Sequence, residues 1–237
     1  MKKILAFFAT TLMAASLAFA QNNTEGYSQP HKEQGPTIGF GARGAFDYGL
    51  MYGFSEEDDD VDGNPKGIGF EGGLMLRVQM IPNLYFTPEA NIAYISTSHK
   101  YIEYERVYTS LDLEIPLLIR GVVAEKFYVT AGPQINLNLS SDADIDPVKN
   151  ELAGITAETH ETVEQTGFTF GLAAGAGFNI VEGLFIDLRY YMGLMELFPD
   201  VKSLEDIENF EDEDYSIISM KGAKMMKFKV GLSYWFI

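Results

Sequence analysis

Apolar and polar residues alternate along most of the chain, most strictly in the stretch 110–140. The odd positions from Leu111 to Ile119 are all apolar, and three of the five even positions from Asp112 to Arg120 are charged. After a break near Ala124, the alternation resumes and continues to Leu139. Alternation with a period of two puts the two sets of side chains on opposite faces of a β-sheet. This stretch therefore predicts two strands joined by a short turn.

The same alternation in other segments extends the prediction to eight strands. They are residues 37–47, 68–80, 84–96, the two strands of the 110–140 stretch, 166–180, 184–194 and 220–237. The connections alternate between long loops and tight turns of three to five residues. The long loops are 49–67, 97–107, 141–165 and 195–219. This arrangement is typical of outer-membrane β-barrels, which have short periplasmic turns and longer outer loops.

We therefore predict an all-β protein, an eight-stranded antiparallel up-and-down transmembrane β-barrel formed by residues 37–237. It would lie in the cell outer membrane with its N- and C-termini in the periplasm, because an even number of strands returns the chain to the side on which it started. A soluble eight-stranded barrel of the lipocalin type is the alternative, and in that case the apolar face would point inward.

The polar face of the predicted strands favours the membrane barrel. It is rich in Gly, Thr, Asn and Gln and carries six acidic and six basic residues, although the whole chain has a net charge of −17. A solvated face has no reason to be balanced, whereas charges buried in a closed interior must be paired. Side chains nearly fill an eight-stranded barrel, so we expect no open aqueous pore. The predicted lumen charge network consists of Arg43, Asp47, Glu71, Arg77, Glu89, Asp112, Glu114, Arg120, Asp187, Arg189, Lys227 and Lys229.

The N-terminus has the three parts of a secretory signal peptide. Lys2 and Lys3 precede the mostly apolar segment 4–17, and Ala18-Phe19-Ala20 fits the small-x-small rule for cleavage. We predict a signal peptide at residues 1–20 and a flexible lead-in at 21–36. The chain has no cysteine, so an exported form must be stabilised by a large core, a ligand or a membrane rather than by disulfides.

Acidic residues concentrate in three of the long loops, 49–67, 141–165 and 195–219, which hold 22 of the 34. This charge disfavours nucleic acid as a partner. The loops indicate either a purely solvated surface or one that binds divalent cations, cation-bridged lipopolysaccharide or a basic partner.

One acidic loop resembles the first half of a calcium-binding loop, because three carboxylates alternate before a glycine. The glutamate that normally ends such a loop is absent, since the twelfth position is Gly69. We keep a divalent cation as a possible ligand and expect no other cofactor. The candidate metal ligands are Asp58, Asp60 and Asp62.

The last strand carries a motif of a different kind. Lys229, Gly231, Tyr234 and Phe236 follow the order polar, glycine, aromatic, aromatic at characteristic spacings. This resembles the C-terminal signal recognised by the outer-membrane barrel assembly machinery, which we therefore expect as a partner. Ile237 departs from the pattern, since the usual signal ends on the aromatic residue. An ordinary amphipathic strand with aromatic rim residues is the alternative interpretation.

The hairpin also resembles a known family. The segments LEIPLLIRG (113–121) and KFYVTAGPQINLNLS (126–140) look like the outer-membrane β-barrel domain family of diderm bacteria, often labelled porin-family or PorT-like. The resemblance implies an outer-membrane barrel and almost nothing about activity. Pro116 lies in the middle of a predicted strand, where it removes a ladder hydrogen bond, and we predict a local bulge there.

These observations predict a structural or interaction role at the cell surface for a monomeric barrel surrounded by outer-membrane lipid and lipopolysaccharide. A narrow porin for small solutes is one alternative. A lipid-modifying enzyme is another, because some eight-stranded barrels act on lipid A with a His, a Ser and an acid. His99 lies beside Ser96 and Ser98, with Glu103 nearby. A lone His among serines in a loop is usually a surface residue, so we predict that the protein is not an enzyme.

Overall fold

The computed structural model describes residues 38–53, 64–100, 104–124, 126–147, 159–161, 165–198 and 222–236. Nine strands lie in these ranges. They are β1 Ile38–Tyr52, β2 Lys66–Ile81, β3 Leu84–Lys100, β4 Tyr104–Ala124, β5 Phe127–Pro147, β6 Thr159–Glu161, β7 Phe168–Val181, β8 Leu184–Gly193 and β9 Lys224–Trp235. Within these ranges, no helix is long and apolar enough to cross a membrane.

Eight of the strands close into an antiparallel barrel. Each strand in the order β1, β2, β3, β4, β5, β7, β8, β9 pairs with the next, and β9 pairs back with β1. The short β6 pairs with residues 143–145 of β5 and lies outside this ring. The predicted eight-stranded antiparallel barrel is therefore confirmed.

The two faces of the barrel wall have opposite chemistry. Apolar residues point outward and stay exposed, with Phe70 and Leu188 each 63% exposed. Charged residues point inward, and Asp47 and Glu114 are completely buried. This is the inverse of a soluble barrel and matches a wall that contacts hydrocarbon on its outside. The structure therefore excludes the lipocalin alternative.

Three tight turns lie at one end of the barrel and join β2 to β3, β4 to β5 and β7 to β8. Asn83 and Gly183 adopt left-handed backbone conformations in two of these turns, with φ of 64° and 80°. Asn and Gly tolerate this conformation best, which explains their presence where the alternation breaks. The end of β9 lies beside the same turns, because the Trp235 N–H donates to the Gly183 carbonyl at 2.8 Å.

Strand β1 continues past its predicted end at Asp47 to Tyr52, and β3, β4 and β5 extend into mostly polar segments that the alternation does not predict, all at the end opposite the tight turns. β3 continues to Lys100 and β4 begins at Tyr104, so most of the predicted 97–107 loop is strand. β5 continues to Pro147, and β6 lies within the predicted 141–165 loop. The sequence here is mostly polar, because strands that pair beyond the hydrocarbon need backbone hydrogen bonds but no apolar face. The alternation is therefore lost where the strands leave the membrane.

The bulge predicted at Pro116 is wrong. The register of β4 against β5 is the same at the pair Pro116–Gln134 as at the pair Ile119–Ala131. The wall therefore tolerates the missing hydrogen-bond donor without a shift in register. An irregularity occurs instead between Leu111 and Asp112, nearer to the end of β4 that lies opposite the tight turns.

Candidate functional site in the barrel lumen

Lys229 of β9 lies at the centre of a buried group of carboxylates. Its Nζ donates to Glu71 of β2 at 2.5 Å, contacts Glu114 of β4 and lies 3.8 Å from Asp47 of β1. Asp47 is directly opposite Lys229 in the register of β1 and β9. Residues of three other strands thus converge on one ammonium group, which offsets the repulsion between the three buried negative charges.

A second ammonium group lies at the next inward-facing position of β9. Lys227 donates to Glu114 at 2.7 Å and lies 3.9 Å from Asp112. The side-chain amide of Gln134 on β5 donates to Glu114 at 2.9 Å and to Asn136 at 2.8 Å. Glu114 is completely buried, and each of its two oxygens accepts a charge-assisted hydrogen bond from a lysine.

Two arginines form the next part of the network, nearer to the tight turns. Arg43 donates to Asp187 through two bonds of 2.8 and 3.3 Å and also donates to Glu71. Arg189 forms a bidentate pair with Glu89, with bonds of 2.8 and 3.1 Å, and lies 3.8 Å from Asp187. Because Glu71 contacts both Arg43 and a lysine of β9, the arginines and lysines belong to one continuous network.

Glycine provides the space for these large inward side chains. A Cβ atom on Gly231 would lie 2.5 Å from Nη2 and 2.9 Å from Cζ of Arg43. The guanidinium group therefore fills the volume that a side chain at position 231 would need. Gly177 has the same relation to the ring of Tyr128, which covers it closely. These two glycines on the polar face thus lie beneath long side chains from neighbouring strands.

Arg77 and Arg120 belong to the predicted network but have a different environment in the structure. Neither forms an ion pair with a carboxylate in the part of the chain that the structure describes. The Cζ of Arg120 lies 3.5 Å from the centre of the Tyr128 ring, and that of Arg77 lies 4.8 Å from the centre of a Trp235 ring. Such cation–π contacts stabilise a guanidinium group without a counter-charge. The alternation of the sequence contains no sign of these aromatic partners.

An apolar cluster fills the lumen at the end opposite the tight turns. Leu197 and Phe198 lie inside this mouth with Tyr108, and all three are buried. The rings of Phe198 and Tyr108 meet edge to face, with centroids 5.4 Å apart. The Leu197 N–H donates to the Ala223 carbonyl at 2.8 Å, which holds the segment in place. The sequence predicts only a loop at 195–219, so this cluster is a feature that sequence reasoning missed.

The structure places an internal cation among three carboxylates that lie close enough together to hold a metal ion. Three carboxylates, those of Asp47, Glu71 and Glu114, have oxygens within 4.8 Å of one another. The ammonium group of Lys229 lies among them and supplies the positive charge. The sequence-predicted metal ligands, which lie outside the described residues, are Asp58, Asp60 and Asp62.

The four residues of the predicted assembly signal point to both faces of β9. Tyr234 and Phe236 point outward, are 46% and 54% exposed, and pack edge to face with ring centroids 5.5 Å apart. Lys229 and Gly231 point inward and belong to the charge network. These two residues therefore have roles in packing the lumen that do not depend on assembly, and the signal itself stays a prediction.

An antiparallel eight-stranded barrel with an apolar outer face and an ion-paired interior is an outer-membrane β-barrel protein. The family model described as outer membrane protein beta-barrel domain matches residues 19–199. The chain belongs to this family.

Solved structures of outer-membrane barrels resemble the chain in fold. Neisserial surface protein A is 13% identical, and the match covers 85% of this chain and 99% of that one with a TM-score of 0.45. Ail, the attachment invasion locus protein of Yersinia pestis, is 12% identical, with 84% and 99% covered and a TM-score of 0.40. OprG from Pseudomonas aeruginosa is 11% identical, with 85% and 97% covered and a TM-score of 0.33. No curated protein matches the sequence significantly.

Proposed function

We propose that this outer-membrane barrel is closed to solutes and has a structural or interaction role at the cell surface. The filled lumen is the observation that carries the proposal. Each of the eight barrel strands contributes buried polar side chains to it. Gln134 and Glu114 have 0% exposure and Tyr191 has 1%, so the side chains in the middle of the barrel are shielded from solvent.

Three zones of side chains follow one another along the barrel axis. Arginines packed on aromatic rings lie beside the tight turns, the charge network fills the middle, and the apolar cluster occupies the opposite mouth. A solute would have to separate buried ion pairs in order to pass, which is costly in a low-dielectric interior. A narrow porin requires a continuous opening, and nothing in the described ranges favours one.

Purified protein in a planar lipid bilayer is expected to show no steady single-channel current, because side chains fill the lumen. The double variant Y191S/F198S removes two large buried side chains from the lumen and its mouth, and we expect it to raise the conductance. The double variant F46S/F70S removes a similar volume from the lipid-facing surface and is expected to leave the conductance unchanged. Stable currents from the unmodified protein would contradict the proposal and favour the narrow porin.

We propose that the tight turns and the chain ends face the periplasm, because membrane barrels have their short turns on that side. The chain has no cysteine, so a single introduced thiol can report on orientation. Asn64 lies at the end opposite the tight turns and Glu182 lies within one of them, and both are exposed. A membrane-impermeant maleimide should label N64C in intact cells and E182C only after the outer membrane is permeabilised. The reverse labelling would show the opposite orientation.

In the proposed role the protein binds lipids and partners and does not catalyse a reaction. Outer-membrane lipid and lipopolysaccharide would surround the exposed apolar belt of a monomeric barrel. The acidic outer loops would bind divalent cations or a basic partner, although most of their residues lie outside the described ranges. A non-enzymatic role is supported by the lumen chemistry, since the carboxylates there are engaged with arginine and lysine side chains.

A further inference from the structure

The lumen zone beside the tight turns holds two arginines around a single indole ring. The Cζ atoms of Arg77 and Arg120 lie 4.8 and 5.5 Å from the centre of a Trp235 ring. The centre of the Tyr85 ring lies 5.4 Å from the Cζ of Arg77, and the centre of the Tyr128 ring lies 3.5 Å from the Cζ of Arg120. Strands β2, β3, β4, β5 and β9 thus bring two like charges and their aromatic partners to one end of the barrel.

Several hydrogen-bond donors in this zone lack an acceptor. Among the described residues, the buried Nε atoms of Arg77 and Arg120, the Trp235 indole N–H and the Tyr128 hydroxyl have no hydrogen-bond partner. Arg120, Tyr128 and Trp235 are only 6%, 3% and 5% exposed. An unpaired buried donor is unfavourable, and four of them in one zone indicate a missing acceptor.

The carboxylates of the charge network do not satisfy these arginines. Asp187 is close enough for its negative charge to influence Arg120. It already accepts two hydrogen bonds from Arg43, however, and one of its oxygens lies 3.8 Å from the guanidinium group of Arg189. Arg189 adds a further positive charge that acts on Arg120. Two guanidinium groups at this end of the lumen therefore have no carboxylate partner among the described residues, and this excess of positive charge favours an anion.

We propose that this zone is an anion-binding site for a small oxyanion of the phosphate or carboxylate class. The planar guanidinium groups of Arg77 and Arg120 match pairs of oxygens on such a ligand, and the Trp235 N–H and Tyr128 hydroxyl supply further donors. Arg77 is only partly buried, so the site is accessible from the tight-turn end. The barrel wall separates the site from lipid headgroups, so the ligand comes from the adjacent aqueous compartment. The site requires no passage through the lumen and goes beyond the proposed closed barrel.

Trp235 is the only tryptophan of the chain, so its fluorescence reports directly on the site. The experiment titrates inorganic phosphate, and separately acetate, into the purified protein in a nonionic detergent, with chloride keeping the ionic strength constant. We expect a saturable change in Trp235 emission, and the more effective ion identifies phosphate or carboxylate chemistry. The absence of a saturable change with both ions would overturn the proposal and leave hydration by water as the explanation of the unpaired donors.

Three variants test whether the response belongs to this site. R77Q and R120Q each remove one guanidinium group and are expected to weaken the apparent affinity by about tenfold or more. K126Q removes an exposed positive charge from the nearby β4–β5 turn and should leave the titration unchanged. The proposal would be overturned if R77Q bound the anion as tightly as the unmodified protein. It would also be overturned if K126Q lost as much apparent affinity as R77Q. Heat-modifiable gel migration checks folding, and R77Q carries the test if the more deeply buried R120Q does not fold.

Discussion

Replacing Lys229 with methionine (K229M) is expected to lower the free energy of unfolding by about 3–5 kcal/mol, because the variant removes the buried cation that three carboxylates share. The ammonium group lies at most 3.8 Å from carboxylate oxygens of Asp47, Glu71 and Glu114. Methionine keeps most of the side-chain volume, so the loss of charge dominates the effect. Urea unfolding of the barrel in lipid vesicles, followed by Trp235 fluorescence and gel migration, measures the change.

K126M is the matched control for this variant. Lys126 is exposed in the β4–β5 turn, so its replacement should change the stability by no more than about 0.5 kcal/mol. The double variant K229M/D47N removes the carboxylate whose only ion pair among the described residues is with Lys229, and it should recover part of the lost stability. Equal stabilities of K229M and K126M would contradict a stabilising role for the network.

Replacing Gly231 with valine (G231V) is expected to prevent the purified protein from refolding in detergent. A Cβ atom at this position would lie 2.5 Å from Nη2 of Arg43. The guanidinium group would have to leave Asp187, at 2.8 Å, and Glu71, and breaking such a buried pair costs about 3–5 kcal/mol. The fraction of heat-modifiable protein after dilution from urea measures the outcome. G44V is the control, because a Cβ on Gly44 meets no atom closer than 3.8 Å.

This glycine also belongs to the predicted assembly signal, and the two roles give different results in vitro. If Gly231 acted only in recognition by the assembly machinery, G231V would refold normally in detergent and would accumulate poorly only in cells. If it provides space for Arg43, refolding fails in both settings. Normal refolding of G231V would therefore contradict the packing argument and favour the signal.

The side of the wall on which a residue lies could be predicted, whereas its partner could not. Alternation assigns Arg43, Asp187 and Lys229 to the polar face, and the structure places all three in the lumen. The pairs themselves join residues far apart in sequence, 144 positions for Arg43 and Asp187 and 158 for Lys229 and Glu71. Which inward residues meet depends on the stagger of the strands around the closed barrel, and a local pattern does not contain that information.

The sequence does not predict the apolar cluster at the mouth of the barrel, for a different physical reason. Leu197 and Phe198 are adjacent in sequence, and both are buried in the apolar cluster. They lie after the end of β8, where no strand periodicity marks which residues point inward. The ends of β3, β4 and β5 opposite the tight turns were missed because their residues are mostly polar and carry no alternation. Tertiary contacts therefore decide the structure at this end, whereas lipid imposes the sequence pattern in the middle.

The positions of the two lysines have a consequence for the order in which the barrel forms. Lys227 and Lys229 both lie on β9, the last strand, whereas their acidic partners lie on β1, β2 and β4. Until β9 arrives beside β1, the acidic residues of the earlier strands lack these two cations. Closure of the seam between the first and last strands therefore neutralises the interior in the same step that seals the wall. A chain without β9 gains neither, so closure of the wall and pairing of the buried charges are coupled events.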